Sequence, residues 1–112
     1  MPTPFQKAVY AALKKIPKGS VTTYGAIADY LGTKAVRAVG TAVAGNPDAP
    51  GVPCHRVVPA GGKIGNYSGE GGVETKIRLL EEEGVLVKDG RIVAFEQHKY
   101  LFKISHEASP KK

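Results

Sequence analysis

The 112-residue chain holds one cysteine, one methionine and no tryptophan. A single cysteine excludes an internal disulfide framework and a zinc cluster built on cysteine. With only three scattered histidines beside it, no ligand set for a structural metal emerges, and none is expected. No apolar run approaches the roughly 20 residues needed to cross a bilayer. The opening stretch MPTPFQKAV also lacks the basic, apolar and small-residue zones of a signal peptide. The expectation is a one-domain cytosolic or nuclear protein with no membrane partner.

Acidic residues are scarce in one half of the chain. Residues 1–58 carry seven basic and two acidic side chains, a net of +5, whereas residues 59–112 carry nine and eight, a net of +1. A cationic first half suits a polyanionic partner such as nucleic acid. It also fits a small basic protein that binds nothing in particular.

The patterning predicts a mostly α domain with a small β-hairpin. A first helix is expected from Pro4 to Ile16, with Thr3 as cap, Pro4 in the first turn and Gln6 completing a capping box. Phe5, Ala8, Val9, Ala12, Leu13 and Ile16 recur at helical spacing, and Pro17 and Gly19 end the pattern. A second helix is expected over Tyr24 to Leu31, capped by Thr22 or Thr23 and closed by Gly32. A third, narrow one is expected from Lys34 to Ala44, stopping at Gly45-Asn46-Pro47. Two short helices around a glycine turn form either a helix-turn-helix or an ordinary helical hairpin. Residues 45–72 are rich in glycine and proline and read as a long functional loop. A further helix is expected over Val73 to Glu83. Beyond it, Val85-Leu86-Val87 and Ile92-Val93-Ala94 suit a hairpin around Asp89-Gly90. A hairpin placed after a helix-turn-helix makes a winged-helix-like arrangement. Residues 106–112 are expected to be a disordered tail.

Few residues suit chemistry. Cys54-His55 is the sharpest pair, because a thiolate is the reactive form of cysteine and a nearby base raises its fraction. Adjacent side chains on extended backbone point to opposite faces, so cooperation would need a turn or a bridging water. Otherwise Cys54 is a small buried hydrophobe beside a chance histidine. Arg37 stands among small apolar residues on the third helix. It suits a groove, the gap left by a displaced base, or a solvated face. Tyr24 can donate a hydrogen bond or simply pack. Gly65-Asn66-Tyr67-Ser68-Gly69 offers a stacking ring and a hydroxyl, or a plain surface loop. Glu83 ends the run Glu81-Glu82-Glu83, and such runs are usually solvated faces.

Gly45-Asn46-Pro47, Pro53-Cys54-His55-Arg56-Val57-Val58 and Gly65-Asn66-Tyr67-Ser68-Gly69 stand in one order with Tyr24 and Arg37-Ala38-Val39-Gly40 ahead of them. This assembly resembles the C-terminal DNA-binding and active-site domain of O6-alkylguanine-DNA alkyltransferases, the methylated-DNA–protein-cysteine methyltransferases. The resemblance runs from about Thr3 to Val87. It implies a cofactor-free, single-use transfer of an alkyl group from guanine O6 in duplex DNA to Cys54. By the same resemblance, His55 acts through a water as base and Glu83 holds the histidine. Arg37 replaces the extruded nucleotide, and Tyr24 helps rotate it and donates to the purine. Asn46 ties the recognition helix to the active-site strand. Tyr67 and Ser68 form the pocket loop, and carbonyls near Cys54 and Val57 read the guanine amino group. The implied partner is double-stranded DNA containing O6-alkylguanine, met by a monomer.

The sequence also departs from the family pattern. The expectation is a one-domain form without the N-terminal domain of many members, and Gly51 occupies a commonly bulkier position. About two extra residues stand around Glu70-Gly71-Gly72. The expected division is a domain over 1–95 and an extension over 96–112. Two other readings stay open: an alkyltransferase-like lesion sensor, in which the nucleophile is usually replaced, and a winged-helix transcription regulator.

Overall fold

The computed structural model describes residues 3–48, 51–67 and 71–102. In chain order come α1 (Pro4–Lys14), β1 (Thr22–Thr23), α2 (Tyr24–Leu31), α3 (Val36–Ala44), a 3-10 turn (Cys54–Arg56), β2 (Val57–Val58), α4 (Gly72–Glu82), β3 (Val87–Lys88), β4 (Arg91–Ile92) and the one-turn α5 (Phe95–His98). The fold is helix-rich with a small hairpin. No helix among the described residues is long and apolar enough to cross a membrane.

Local chemistry explains the helix ends. Thr3 and Gln6 form the reciprocal capping box, so α1 starts where its first orphan N–H groups find oxygen partners. It ends at Lys14, two residues before the expected Ile16, because Pro17 follows too closely to continue the ladder. Thr23 caps α2 through its hydroxyl, and Gly32 closes it at φ 75°, a left-handed conformation that suits glycine. α3 starts at Val36 and not at the expected Lys34. Ala35 provides no side-chain cap, and the Val36 amide bonds back to the Lys34 carbonyl.

α1, α2 and α3 bury Val9, Leu13, Ile27, Val39 and Val43 in one cluster that also takes in Cys54 and Val57. Each such aliphatic side chain contributes about 1.5–3 kcal/mol on burial. A second cluster joins Val21, Val58, Leu80, Val85 and Ile92 beneath α4 and the hairpin. Between the clusters runs a parallel pair absent from the sequence-based expectation, with Thr22 opposite Val57 and Thr23 opposite Val58. It fastens the start of α2 to the chain just after Cys54.

The hairpin turns at Asp89 and Gly90, both with positive φ (52° and 76°), as a tight primed turn requires. Its strands are shorter and shifted relative to the expected Val85–Val87 and Ile92–Ala94. The Val85 amide bonds to the Leu80 carbonyl, so Val85 belongs to the end of α4 and pairing begins at Val87. His98 and Tyr100 lie along the segment before β1, and the Tyr100 and Phe102 rings pack on the helical cluster. Val21 exchanges backbone bonds with His98 and Tyr100, and the Phe102 ring stacks on Tyr30 at 4.6 Å. The expected tail over 106–112 lies outside the described residues, as does Ser68.

Candidate active site and nucleic-acid interface

A cavity of about 580 Å³ opens beside α3. Tyr24, Arg37, Gly40, Cys54, Asn66 and Tyr67 are among its lining residues. Tyr24 is the first residue of α2, and its ring lies against Gly40, where an added Cβ would sit 3.9 Å from it. Arg37 is exposed at the cavity rim, on the second helix of the helix-turn-helix. Burial, and then the charge of the nearby Cys54 sulfur, push the Tyr24 and Tyr67 phenols above their ordinary value. Both therefore stay protonated and can donate.

Cys54 sits at 3% exposure at the head of the 3-10 turn. That turn replaces the extended backbone that would have sent Cys54 and His55 to opposite faces. Pro53 precedes the turn, and the Cys54 amide bonds to the Val52 carbonyl at 2.8 Å. Asn46, just past α3, donates from its amide to the same Val52 carbonyl at 2.7 Å and accepts from the Asp48 amide at 3.0 Å. The side chain thus ties the end of the rim helix to the segment carrying Cys54.

His55 is 2% exposed, and its Nε2–H donates to Glu83 Oε2 at 2.9 Å. This assigns the tautomer, because a carboxylate only accepts. Nδ1 is buried with no partner among the described residues, so it is the ring atom left to take a proton. Burial, aided by the positive charges of Arg56 and Lys76, lowers the His55 pKa below the ordinary 6.5 against the opposing pull of Glu83. The ring is therefore neutral at physiological pH and able to act as a base.

Glu83 departs from the solvated-run expectation. Glu81 and Glu82 are exposed, but the Glu83 side chain is only 9% exposed at the C-cap of α4. Burial alone would raise its pKa. Hydrogen bonds from Arg56 and His55 outweigh it and hold the carboxyl below its ordinary value. Arg56 grips both oxygens, at 2.9 Å from Nε and 2.7 Å from Nη2, and donates a third bond to the Ile16 carbonyl at 2.7 Å. A bidentate pair of this kind fixes orientation as well as charge.

Sequence reasoning missed two residues here. Arg56 was read only as part of the Cys54 motif. Lys76 carries no role in the sequence analysis, yet its side chain is fully buried and Nζ donates to the Asn66 carbonyl at 3.0 Å. Burial, opposed in part by Cys54, lowers its pKa from 10.5 to about 8. The available signal was position, since Lys76 stands four residues before buried Leu80 on the inward stripe of α4.

The structure thus brings Tyr24, Arg37, Cys54 and Tyr67 to one cavity, with His55 and Glu83 behind the cysteine. Asn46 and Val57 do not line the cavity. Val57 is buried in β2 opposite Thr22.

The family described as 6-O-methylguanine DNA methyltransferase, DNA binding domain, matches residues 4–85. A methylated-DNA–protein-cysteine methyltransferase of Methanosarcina acetivorans is 52% identical over 83 residues, covering 73% of this chain and 52% of that protein. The Salmonella typhimurium protein of the same name is 48% identical over 86 residues, covering 76% and 49%. The chain therefore spans about half the length of the curated relatives it matches. Among solved structures, Mycobacterium tuberculosis OGT in complex with DNA matches at TM-score 0.69 and 49% identity, covering 74% of this chain and 51% of that one. S. pombe Atl1, in complex with damaged DNA containing O6-carboxymethylguanine, matches at TM-score 0.76 and 33% identity, covering 89% and 98%.

Proposed function

The chain belongs to the 6-O-methylguanine DNA methyltransferase family, and from that premise we propose that it repairs duplex DNA by moving an alkyl group from guanine O6 onto Cys54. It works as a monomer, without metal or cofactor, once per molecule. The observation that carries this reading is Cys54 in the cavity wall, followed directly by a buried histidine held by a buried carboxylate.

The geometry supports the following steps. His55 Nδ1 takes the Cys54 proton through a water while Glu83 steadies the imidazolium that forms. The thiolate attacks the alkyl carbon. A carbon–sulfur bond forms, the carbon–O6 bond breaks, and the electron pair passes to the guanine, which takes a proton from water as the His55 imidazolium gives its own back. The Tyr24 hydroxyl donates to the purine and offsets the charge that develops there. A stacked base exposes no path to its alkyl carbon, so the nucleotide must leave the helix, at a cost of a few kcal/mol. Arg37, at the rim, fills the vacated stack. Asn46 keeps that rim in register with Cys54, and Tyr67 packs on the base, whose amino group the backbone near Cys54 and Val57 reads.

Incubation with a duplex containing one O6-methylguanine should restore one guanine per protein chain and then stop. No restored guanine, or continued turnover, would overturn the reading. A lesion sensor is the second reading, because the chain covers nearly all of Atl1. Tight lesion binding without restored guanine is its signature.

Two further outcomes are expected. Because His55 is held neutral by burial, alkyl transfer from a free O6-alkylguanine base should stay level from about pH 8 to about pH 6.5 and fall only below that. A fall centred above neutrality would exclude His55 as the base. Lys76→Met should fold, since an apolar chain suits a fully buried site. The Asn66 carbonyl loses its donor, however, and transfer should slow by about tenfold or more. Wild-type stability should also rise between pH 8 and 10.5, because the unfolded lysine binds a proton that the folded one has released. That contribution should vanish in Lys76→Met. An unchanged transfer rate would remove Lys76 from the site.

A further inference from the structure

The hairpin is extended by a third segment. Lys63 and Arg91 are antiparallel bridge partners, and Lys88 faces Arg91 across the turn. The Ile64 amide bonds to the Gly90 carbonyl and the Ile92 amide to the Gly62 carbonyl, both at 2.8 Å. Those flanking bonds make Lys63 and Arg91 a non-hydrogen-bonded pair, the type whose side chains lie closest, with Cβ atoms about 4.5–5.5 Å apart. Ile64, Val87 and Ile92 belong to the second apolar cluster. Alternation sends Lys63, Lys88 and Arg91 to the other face, where all three are exposed.

Three cations thus stand abreast. Among the described residues no carboxylate forms an ion pair with any of them. Arg91 reaches only back to the Gly61 carbonyl, at 3.4 Å. Like charges directly opposite each other in a ladder are destabilising. Among the described residues no carboxylate offsets that repulsion, whereas a polyanion would. Lys63 is three residues from Asn66 in the cavity wall, at most about 11 Å along the backbone. B-form DNA carries one charge per about 1.7 Å of axis, so a duplex with a nucleotide seated in the cavity presents a dense row of phosphates to cations within that reach.

We infer that Lys63, Lys88 and Arg91 form a wing that grips the phosphate backbone of the duplex beside the lesion. The inference rests on the DNA reading above and adds a contact outside the helix-turn-helix. It predicts affinity without base preference, because phosphates carry no sequence code.

The test is binding of unmodified duplex across a salt series, wild type against Lys63→Gln/Lys88→Gln/Arg91→Gln. The slope of log K on log salt should become shallower by about 2–3, at roughly 0.9 per lost phosphate contact. Alkyl transfer from a free O6-alkylguanine base should not change, and stability without DNA should hold or rise as the repulsion is removed. The charge-preserving variant Lys63→Arg/Lys88→Arg/Arg91→Lys should keep the wild-type slope. An unchanged slope in the neutral variant overturns the wing. So does an equal loss on neutralising Lys7, Lys14 and Lys15 of α1 and its C-cap, which would report net charge and not place. A wild-type chain that binds duplex but never accepts an alkyl group would refute the transfer reading and leave the wing standing.

Discussion

Cys54→Ala is expected to abolish alkyl transfer completely while leaving affinity for an O6-methylguanine duplex within about threefold of wild type. The thiol is the strongest nucleophile among the described residues of the cavity wall, and the hydroxyls of Tyr24, Thr41 and Tyr67 stay protonated and far less reactive toward a saturated carbon. Binding should survive because it draws on phosphate contacts, on Arg37 at the rim and on the aromatic walls at Tyr24 and Tyr67, none of which needs the sulfur. The substitution removes one small atom from a site already packed among Val52 and Val57, so the fold should hold. The check is paired: restored guanine by digestion of the DNA, and affinity by titration. Residual transfer would mean the nucleophile is wrongly assigned. Loss of both transfer and binding would mean that Cys54 serves packing.

Arg37→Ala should separate extrusion from chemistry. In a duplex the variant must open the stack without a side chain to fill it. A few kcal/mol of flipping cost then goes unopposed, and transfer should slow by roughly 30- to 100-fold. A free O6-alkylguanine base needs no extrusion, so its reaction should change by less than about threefold. The exposure of Arg37 makes this a clean comparison, because truncating an exposed side chain barely disturbs the helix. Equal slowing on both substrates would place Arg37 in the chemistry and cancel its role in the stack.

Much of the framework was legible where short-range rules govern. The capping box at Thr3 and Gln6 marks the start of α1, and the bounds of α2 follow from Thr23 and Gly32. The Asp89-Gly90 turn is likewise a local matter of positive φ. Three features were not legible, each for a physical reason. The β1–β2 pair is two residues per strand, too short for a period-two signal, and its partners are 35 positions apart. Glu83 sits in an acidic run whose first two members face water. Its burial comes from Arg56, 27 positions away, which no local pattern reveals. Lys76 was hidden by its own charge, since a lysine on a helix is ordinarily read as solvated. In the site itself, Cys54 and His55 stood out as a pair. Their cooperation depends on a 3-10 turn, which an extended reading of Pro53–Val58 would not produce.

The most direct measurement is the intact mass of the wild-type chain after incubation with O6-methylguanine duplex, followed by peptide mapping. The expected result is one methyl group gained per chain, confined to the peptide holding Cys54, with no further gain on longer incubation. Tight binding to the damaged duplex with the mass unchanged, or a methyl group on any other residue, would contradict it.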